Sequence, residues 1–176
     1  MPGIAPALRG RPGPSLSAMT ATVNSQASRA MTIPPASPAD AAAHFAARLA
    51  LYTDVSDVAA ALADGTVDFT LVDTRGDAAW QQAHIDGAVH IPSAELAAAD
   101  LDPSRPVVVH CWGPGCDGAA KAALALALRG FRVKEMVGGI EYWIREGFPV
   151  RTPGGVRADR PDPLTAPTDP AVGCAC

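Results

Sequence analysis

The residue with the clearest chemical potential is Cys111. It follows directly on the apolar run Val107-Val108-Val109-His110 and precedes Trp112-Gly113-Pro114-Gly115-Cys116-Asp117-Gly118, after which a helical stretch begins. An apolar run, a glycine-rich loop and a helix start gather successive backbone N–H groups around one point. Such a nest attracts anions, and the helix dipole adds partial positive charge. A thiol aimed into it is expected to have a lowered pKa and to be partly thiolate near neutral pH. The thiolate is a nucleophile, and its matching partner is an anionic or polarisable sulfur or oxyanion compound. A free cysteine is by default a small apolar core residue. Here the strand-end position and Gly113, Gly115 and Gly118 favour a reactive thiol.

The other cysteines extend this chemistry. Cys116 admits two readings: it fills a small loop position, or it pairs with Cys111 as a disulfide or as the group that resolves a persulfide or sulfenate. Cys174 and Cys176 sit in the last three residues. They could act as an internal sulfur acceptor, or join Cys111 and Cys116 around a soft metal. The one-residue spacing of that pair departs from zinc-site spacing, so no metal is expected and an uninvolved tail is preferred. Asp73 and Arg75, at another strand end, are expected to pair with each other or with nearby backbone. His84 and His90 read as hydrogen-bonded structural residues, and His110 alternates away from Cys111 along its strand. Asp117 suits a helix N-cap. Trp112 is expected either to wall a pocket or to cover the sheet end. Tyr142 and Trp143 read as packing. Lys121 approaches the loop only if it points back over the helix start.

The elements that must position these residues alternate. Ser37-Pro38-Ala39-Asp40 predicts a helix start, with the helix running to about residue 48 and a short strand over 49–52. Thr53 or Asp54 caps a helix through residue 62 that stops at Asp64-Gly65. A buried strand is expected over 69–73, a helix over 78–84 and a short strand over 88–91. Val107–His110 is the clearest strand; a helix over 118–129, a strand over 131–136 and a helix over 141–146 follow. Strands alternating with helices predict an α/β domain with a mostly parallel sheet and helices on both faces.

The chain has 176 residues, 48% of them apolar, with only 4 Phe, 3 Trp and 2 Tyr, which supports one compact core. Of its 17 prolines, all but four lie at or before Pro38 or from Pro149 onward. The expected organisation is therefore a disordered extension over 1–36, a domain over 37–150 and a flexible proline-rich tail over 151–176. The first segment has arginines and no acid. An upstream extension, with Met19 and Met31 as alternative starts, is preferred to an organellar transit peptide. No apolar run suits a secretory signal or a membrane span, so a cytoplasmic protein with no membrane partner is expected. A net charge of −4 argues against nucleic-acid binding. Four unevenly spaced cysteines do not make a disulfide-stapled scaffold.

Several motifs together resemble the rhodanese (thiosulfate sulfurtransferase) family. Leu71-Val72-Asp73-Thr74-Arg75 is similar to its first strand with an Asp-x-Arg ending. His84-Ile85-Asp86-Gly87-Ala88-Val89-His90-Ile91-Pro92 is similar to its His-Ile-x-Gly-Ala-x-x-Ile-Pro signature. Val107 to Cys111 resembles the strand leading to the catalytic cysteine. Gly138-Gly139-Ile140-Glu141-Tyr142-Trp143 with Gly147-Phe148-Pro149-Val150 resembles the closing motif. The resemblance spans about residues 49–150. It implies a single rhodanese-like domain, with a five-stranded parallel sheet and helices on both faces. It implies that Cys111 accepts sulfane sulfur from thiosulfate or a similar donor as a persulfide and passes it to a thiophilic acceptor, with a small sulfur-containing substrate or a protein thiol acceptor as partner and no cofactor. It also gives Asp73 and Arg75 a supporting role.

The sequence departs from the family at one point. Many members carry an arginine five residues after the cysteine, and here that residue is Cys116, with no Arg or Lys between Cys111 and Ala120. Two alternatives follow. One is a non-catalytic persulfide- or redox-sensing module using Cys111 and Cys116. The other is the arsenate-reductase or phosphatase chemistry of longer-loop relatives, which the missing arginine disfavours.

Overall fold

The structure is a computed structural model and describes residues 28–164. The expectations for residues 1–27 and for Cys174 and Cys176 therefore lie outside the described residues. The chain divides into two units, Met1–Ala43 and His44–Cys176, with the boundary inside the first helix. In the first unit a 3₁₀ turn over Arg29–Met31 precedes the start of α1 (Pro38–Leu51). The expected cap is present: Ser37 Oγ accepts the Asp40 N–H at 3.2 Å and donates to Asp40 Oδ2 at 2.7 Å.

The helix does not stop at residue 48. Ala, Leu and Arg are strong helix formers and nothing breaks the run, so residues 49–51, expected as strand, complete α1. Strand β1 follows as Tyr52–Asp54. Asp54 then caps α2 (Val55–Asp64), its carboxylate accepting the Asp57 N–H at 2.8 Å. Gly65 ends α2 at φ 68°, a left-handed turn that suits glycine.

β2 (Thr70–Asp73), α3 (Asp77–Gln82), β3 (Val89–His90), β4 (Val107–His110), α4 (Gly118–Leu128), β5 (Val133–Val137) and α5 (Gly139–Arg145) complete the alternation. All lie within two residues of their expected bounds. α3 ends early because His84 is drawn into a bridge with Arg151, each residue's N–H meeting the other's carbonyl at 3.0 and 2.8 Å. The sheet has the order β1-β5-β4-β2-β3 and every pairing is parallel. β4 is central, and its four residues are buried.

Strand alternation splits the apolar residues into two clusters, one per face. Leu71 and Val108 pack with Val55 and Val58 of α2 and Ile140 and Trp143 of α5. Val72, Val107 and Val109 pack with Ala119, Ala122 and Leu126 of α4. Helices thus cover both faces, as the α/β pattern requires. Trp143 is buried and donates its indole N–H to Pro149 O at 2.9 Å, whereas Tyr142, also expected to pack, is partly exposed.

The tail differs from expectation at its start. β6 (Val150–Thr152) and β7 (Gly155–Arg157) form an antiparallel hairpin. It is anchored by buried Val150, by the bridge to His84 and by an Arg151–Asp86 ion pair at 2.6 Å. Among the described residues no helix is long and apolar enough to cross a membrane.

Candidate active site

β4 delivers Cys111 to the carboxyl end of the sheet, where α/β folds gather reactive groups. Two neighbours fix the strand end. Thr74 donates to His110 O from its N–H (3.1 Å) and from its hydroxyl (2.8 Å). The first amides of α5 close on the loop, with Ile140 N–H donating to Cys111 O at 3.1 Å and Glu141 N–H to Trp112 O at 2.8 Å. This approach needs glycine at 139, which sits at φ 58°, and a Cβ there would lie 2.6 Å from Cys111 O. Gly138, at φ 95°, makes the sharp exit from β5 into α5.

Cys111 is 7% exposed and lies among the apolar side chains of the α4 face. The loop turns through a Cys116 N–H to Gly113 O bond of 3.0 Å and brings Cys116 Sγ to 3.3 Å from Cys111 Sγ. Gly118 N–H, at the start of α4, points at Cys116 Sγ, at 3.4 Å. The expected lowering of the Cys111 pKa is therefore corrected. Burial pushes the Cys111 thiol up, and its contact with Cys116 adds to this. The Gly118 N–H and the Cys111 thiol instead pull Cys116 down. The loop amide assigned from sequence to the first cysteine serves the second. Of the two thiols Cys116 is thus the more acidic, so the first proton to leave the pair leaves from it.

Asp73 and Arg75 pair as expected. Arg75 Nη2 lies 2.7 Å from Asp73 Oδ2, its Nε donates to the same carboxylate, and Nη2 also reaches Ala83 O. Burial raises the Asp73 pKa, but the Arg75 hydrogen bonds and the His110 charge outweigh it and hold the carboxyl low. His110 is fully buried with Nε2 unpartnered, 3.8 Å from Asp73 Oδ2, and with Nδ1 3.4 Å from Cys111 O. Burial pulls its pKa down. His84 meets Trp80 O and His90 meets Arg75 O, and both rings stack on Trp80. Both are hydrogen-bonded, as expected. Trp112 is 47% exposed, with the Arg75 guanidinium 4.8 Å from its ring centre. It covers the sheet end above the buried ion pair. Asp117 occupies the N-cap position but makes no capping bond, since its carboxylate pairs with Lys121 Nζ at 2.9 Å.

A cavity of about 520 Å³ opens over the two sulfurs, lined by Cys111, Gly113, Pro114 and Cys116 from the loop side. Its opposite wall was not legible in the sequence. His44 and Arg48 of α1, Tyr52 of β1 and Glu135 of β5 line it. Burial pushes the Glu135 carboxyl up. These residues meet the loop because β1, which follows α1 directly, joins the sheet beside β5, and β5 lies beside β4, the strand that carries the loop.

The fold and the cysteine loop define a class, and comparison with known proteins agrees. The sequence matches the family described as "Rhodanese-like domain" over residues 54–146, and the chain belongs to that family. It is similar to the HTH-type transcriptional regulator Rv0324 of Mycobacterium tuberculosis, with 39% identity over 85 residues, 47% of this chain. The chain spans only 38% of that protein's length. Among solved structures it is similar to BH2092 protein from Bacillus halodurans, with 35% identity, TM-score 0.63, and coverage of 68% of this chain and 89% of that one. A thiosulfate sulfurtransferase from Pseudomonas aeruginosa matches with 25% identity and TM-score 0.51, over 65% of this chain and 22% of that one.

Proposed function

We propose that this protein is a sulfurtransferase in which Cys111 accepts sulfane sulfur from thiosulfate, or a comparable donor, and passes it to a thiophilic acceptor. The acceptor is a small sulfur-containing compound, a protein thiol, or cyanide in the assay. One observation carries the reading: a nucleophile at the end of the central strand, on the floor of a cavity, with a second sulfur 3.3 Å away to take its proton. The pair reacts from its singly deprotonated form: as Cys111 Sγ attacks the outer sulfur of thiosulfate, its proton moves to Cys116 Sγ, 3.3 Å away. The S–S bond of the donor breaks, sulfite leaves with the bond pair, and Cys111 carries a persulfide anion. The acceptor then attacks the outer sulfur and restores the thiolate.

Family members with a loop arginine hold the donor's charge from that residue. Here Arg48, on the wall facing the loop, supplies the cation. A charge-assisted hydrogen bond is worth about 1.5–3 kcal/mol. Arg48→Ala is therefore expected to raise KM for thiosulfate roughly 10- to 100-fold with a smaller change in kcat. Initial rates against thiosulfate concentration check this, and an unchanged KM would remove Arg48 from the site.

The primary test is turnover of the reduced protein with thiosulfate and cyanide. Thiocyanate and sulfite should appear in equal amounts over many cycles, and a protein that makes neither is no sulfurtransferase. Likeness to a protein named as a transcriptional regulator favours a second reading, in which the sulfur pair registers persulfide or oxidant for a partner. That reading predicts one stoichiometric modification and no turnover.

A further inference from the structure

Resting on the sulfurtransferase reading, we propose that this protein also releases the captured sulfur reductively as sulfide, with Cys116 attacking Cys111 Sγ of the persulfide to leave a Cys111–Cys116 disulfide. A persulfide has two electrophilic sulfurs. An external acceptor entering through the cavity meets the outer one. The inner one is Cys111 Sγ itself, and Cys116 Sγ stands 3.3 Å from it. A disulfide needs about 2.05 Å, so the gap to close is about 1.3 Å.

The surroundings permit that closure. Both sulfurs lean over the backbone of Gly118, where a Cβ would lie 2.7 Å from Cys111 Sγ and 3.3 Å from Cys116 Sγ. Glycine at 118 is what lets the two share one side of the helix start. Gly115, immediately before Cys116, faces open space, with nothing within 4 Å of a built Cβ. Residue 115 therefore puts no packed side chain in the way of a shift of Cys116 towards Cys111.

Protons and electrons balance through the pair. In the first step the Cys111 proton passes to Cys116, sulfite departs and Cys111 carries –S–S⁻. In the second, Cys116 returns that proton to the outer persulfide sulfur and attacks Cys111 Sγ as a thiolate. The Cys111 S–S bond breaks and hydrosulfide leaves with the bond pair. The sum converts a thiol, a thiolate and thiosulfate into a disulfide, hydrosulfide and sulfite, with one proton and three negative charges on each side. The two cysteines are oxidised by two electrons and the sulfane sulfur is reduced. Hydrosulfide, from a more acidic parent than an alkyl thiol, is the better leaving group. Turnover then requires an external thiol reductant, either a small dithiol or a thioredoxin-class protein. The cavity over both sulfurs gives it access.

The test is a single turnover without cyanide: reduced protein, freed of reductant, is mixed with excess thiosulfate, and sulfite, sulfide and intact mass are followed. The full chain should release one equivalent each of sulfite and sulfide and end about 2 Da lighter, as a disulfide. Cys116→Ser should release sulfite more slowly, release no sulfide and retain an adduct of about 32 Da. The double variant Cys174→Ser/Cys176→Ser should still release sulfide. If the full chain releases sulfite but keeps the adduct, or if sulfide needs the Cys174 and Cys176 pair, the inference is overturned and the sulfurtransferase reading stands. If no sulfite appears, both fall together.

Discussion

Cys111→Ser should lower thiocyanate formation from thiosulfate and cyanide by at least about 10³-fold, measured as kcat/KM. The size follows from what the sulfur does. A serine hydroxyl is too weakly acidic to give up its proton to Cys116, and oxygen forms no stable counterpart of a persulfide. Neither the first bond nor the stored intermediate survives the change. The fold should survive it, because Cys111 packs by its small volume among Val72, Val109 and Ala119 rather than by a structural bond through its sulfur. The serine hydroxyl would also sit in that apolar cluster, at a cost of about 1–3 kcal/mol, so a melting curve belongs beside the kinetics. A folded Cys111→Ser protein with activity within tenfold of the parent would remove Cys111 from the chemistry.

The largest stability effect is expected at the buried ion pair beneath the loop. Asp73→Asn keeps the shape but leaves the Arg75 guanidinium buried, 2% exposed, without its counter-charge. Breaking such a pair costs about 3–5 kcal/mol, which lowers Tm by roughly 10–20 °C for a domain of this size. The paired change Asp73→Leu with Arg75→Met should recover much of that loss, because it removes both charges together. A melting temperature for Asp73→Asn within a degree or two of the parent would show that the pair contributes little. The same carboxylate gives the protein a pH dependence. Its pKa in the folded chain lies below the ordinary 3.8, so its stabilisation is complete above that value. It is lost as pH falls from 3.8 through the lower folded value, so urea midpoints should drop in that window for the parent. For Asp73→Asn they should drop less.

What the sequence made legible was local. Val107–His110, Cys111 and the glycines after it are contiguous, so the place of the cysteine at a strand end and before a glycine-rich loop follows from neighbouring residues alone. Asp73 and Arg75 are two residues apart, and their pairing was equally accessible. The start of α2 at Asp54 and its end at Gly65 follow from capping chemistry. By contrast, the protonation order within the sulfur pair depends on where one amide points. Gly118 N–H meets Cys116 rather than Cys111, and spacing carries no sign of that choice. Arg48 was invisible for a different reason. Its place over the cavity depends on β1 lying beside β5, a pairing between segments some eighty residues apart in the chain. The hairpin of β6 and β7 escaped because proline content masked a strand held by burial of Val150 and a bridge to His84.

The boundary of the family match has its own consequence. Matching begins at residue 54, so Cys111, Cys116, Asp73 and Arg75 all belong to the shared domain, while Arg48, on α1, lies outside it. On the proposed reading, reactivity and selectivity are carried by separate stretches of chain. Both sulfurs lie within the matched segment, and the cation that would select an anionic donor comes with a helix N-terminal to it. A lineage could retune donor preference by exchanging that helix while leaving every atom of the sulfur-handling loop untouched. By the same logic, a search for relatives with the same donor should compare the helix preceding the domain rather than the loop within it.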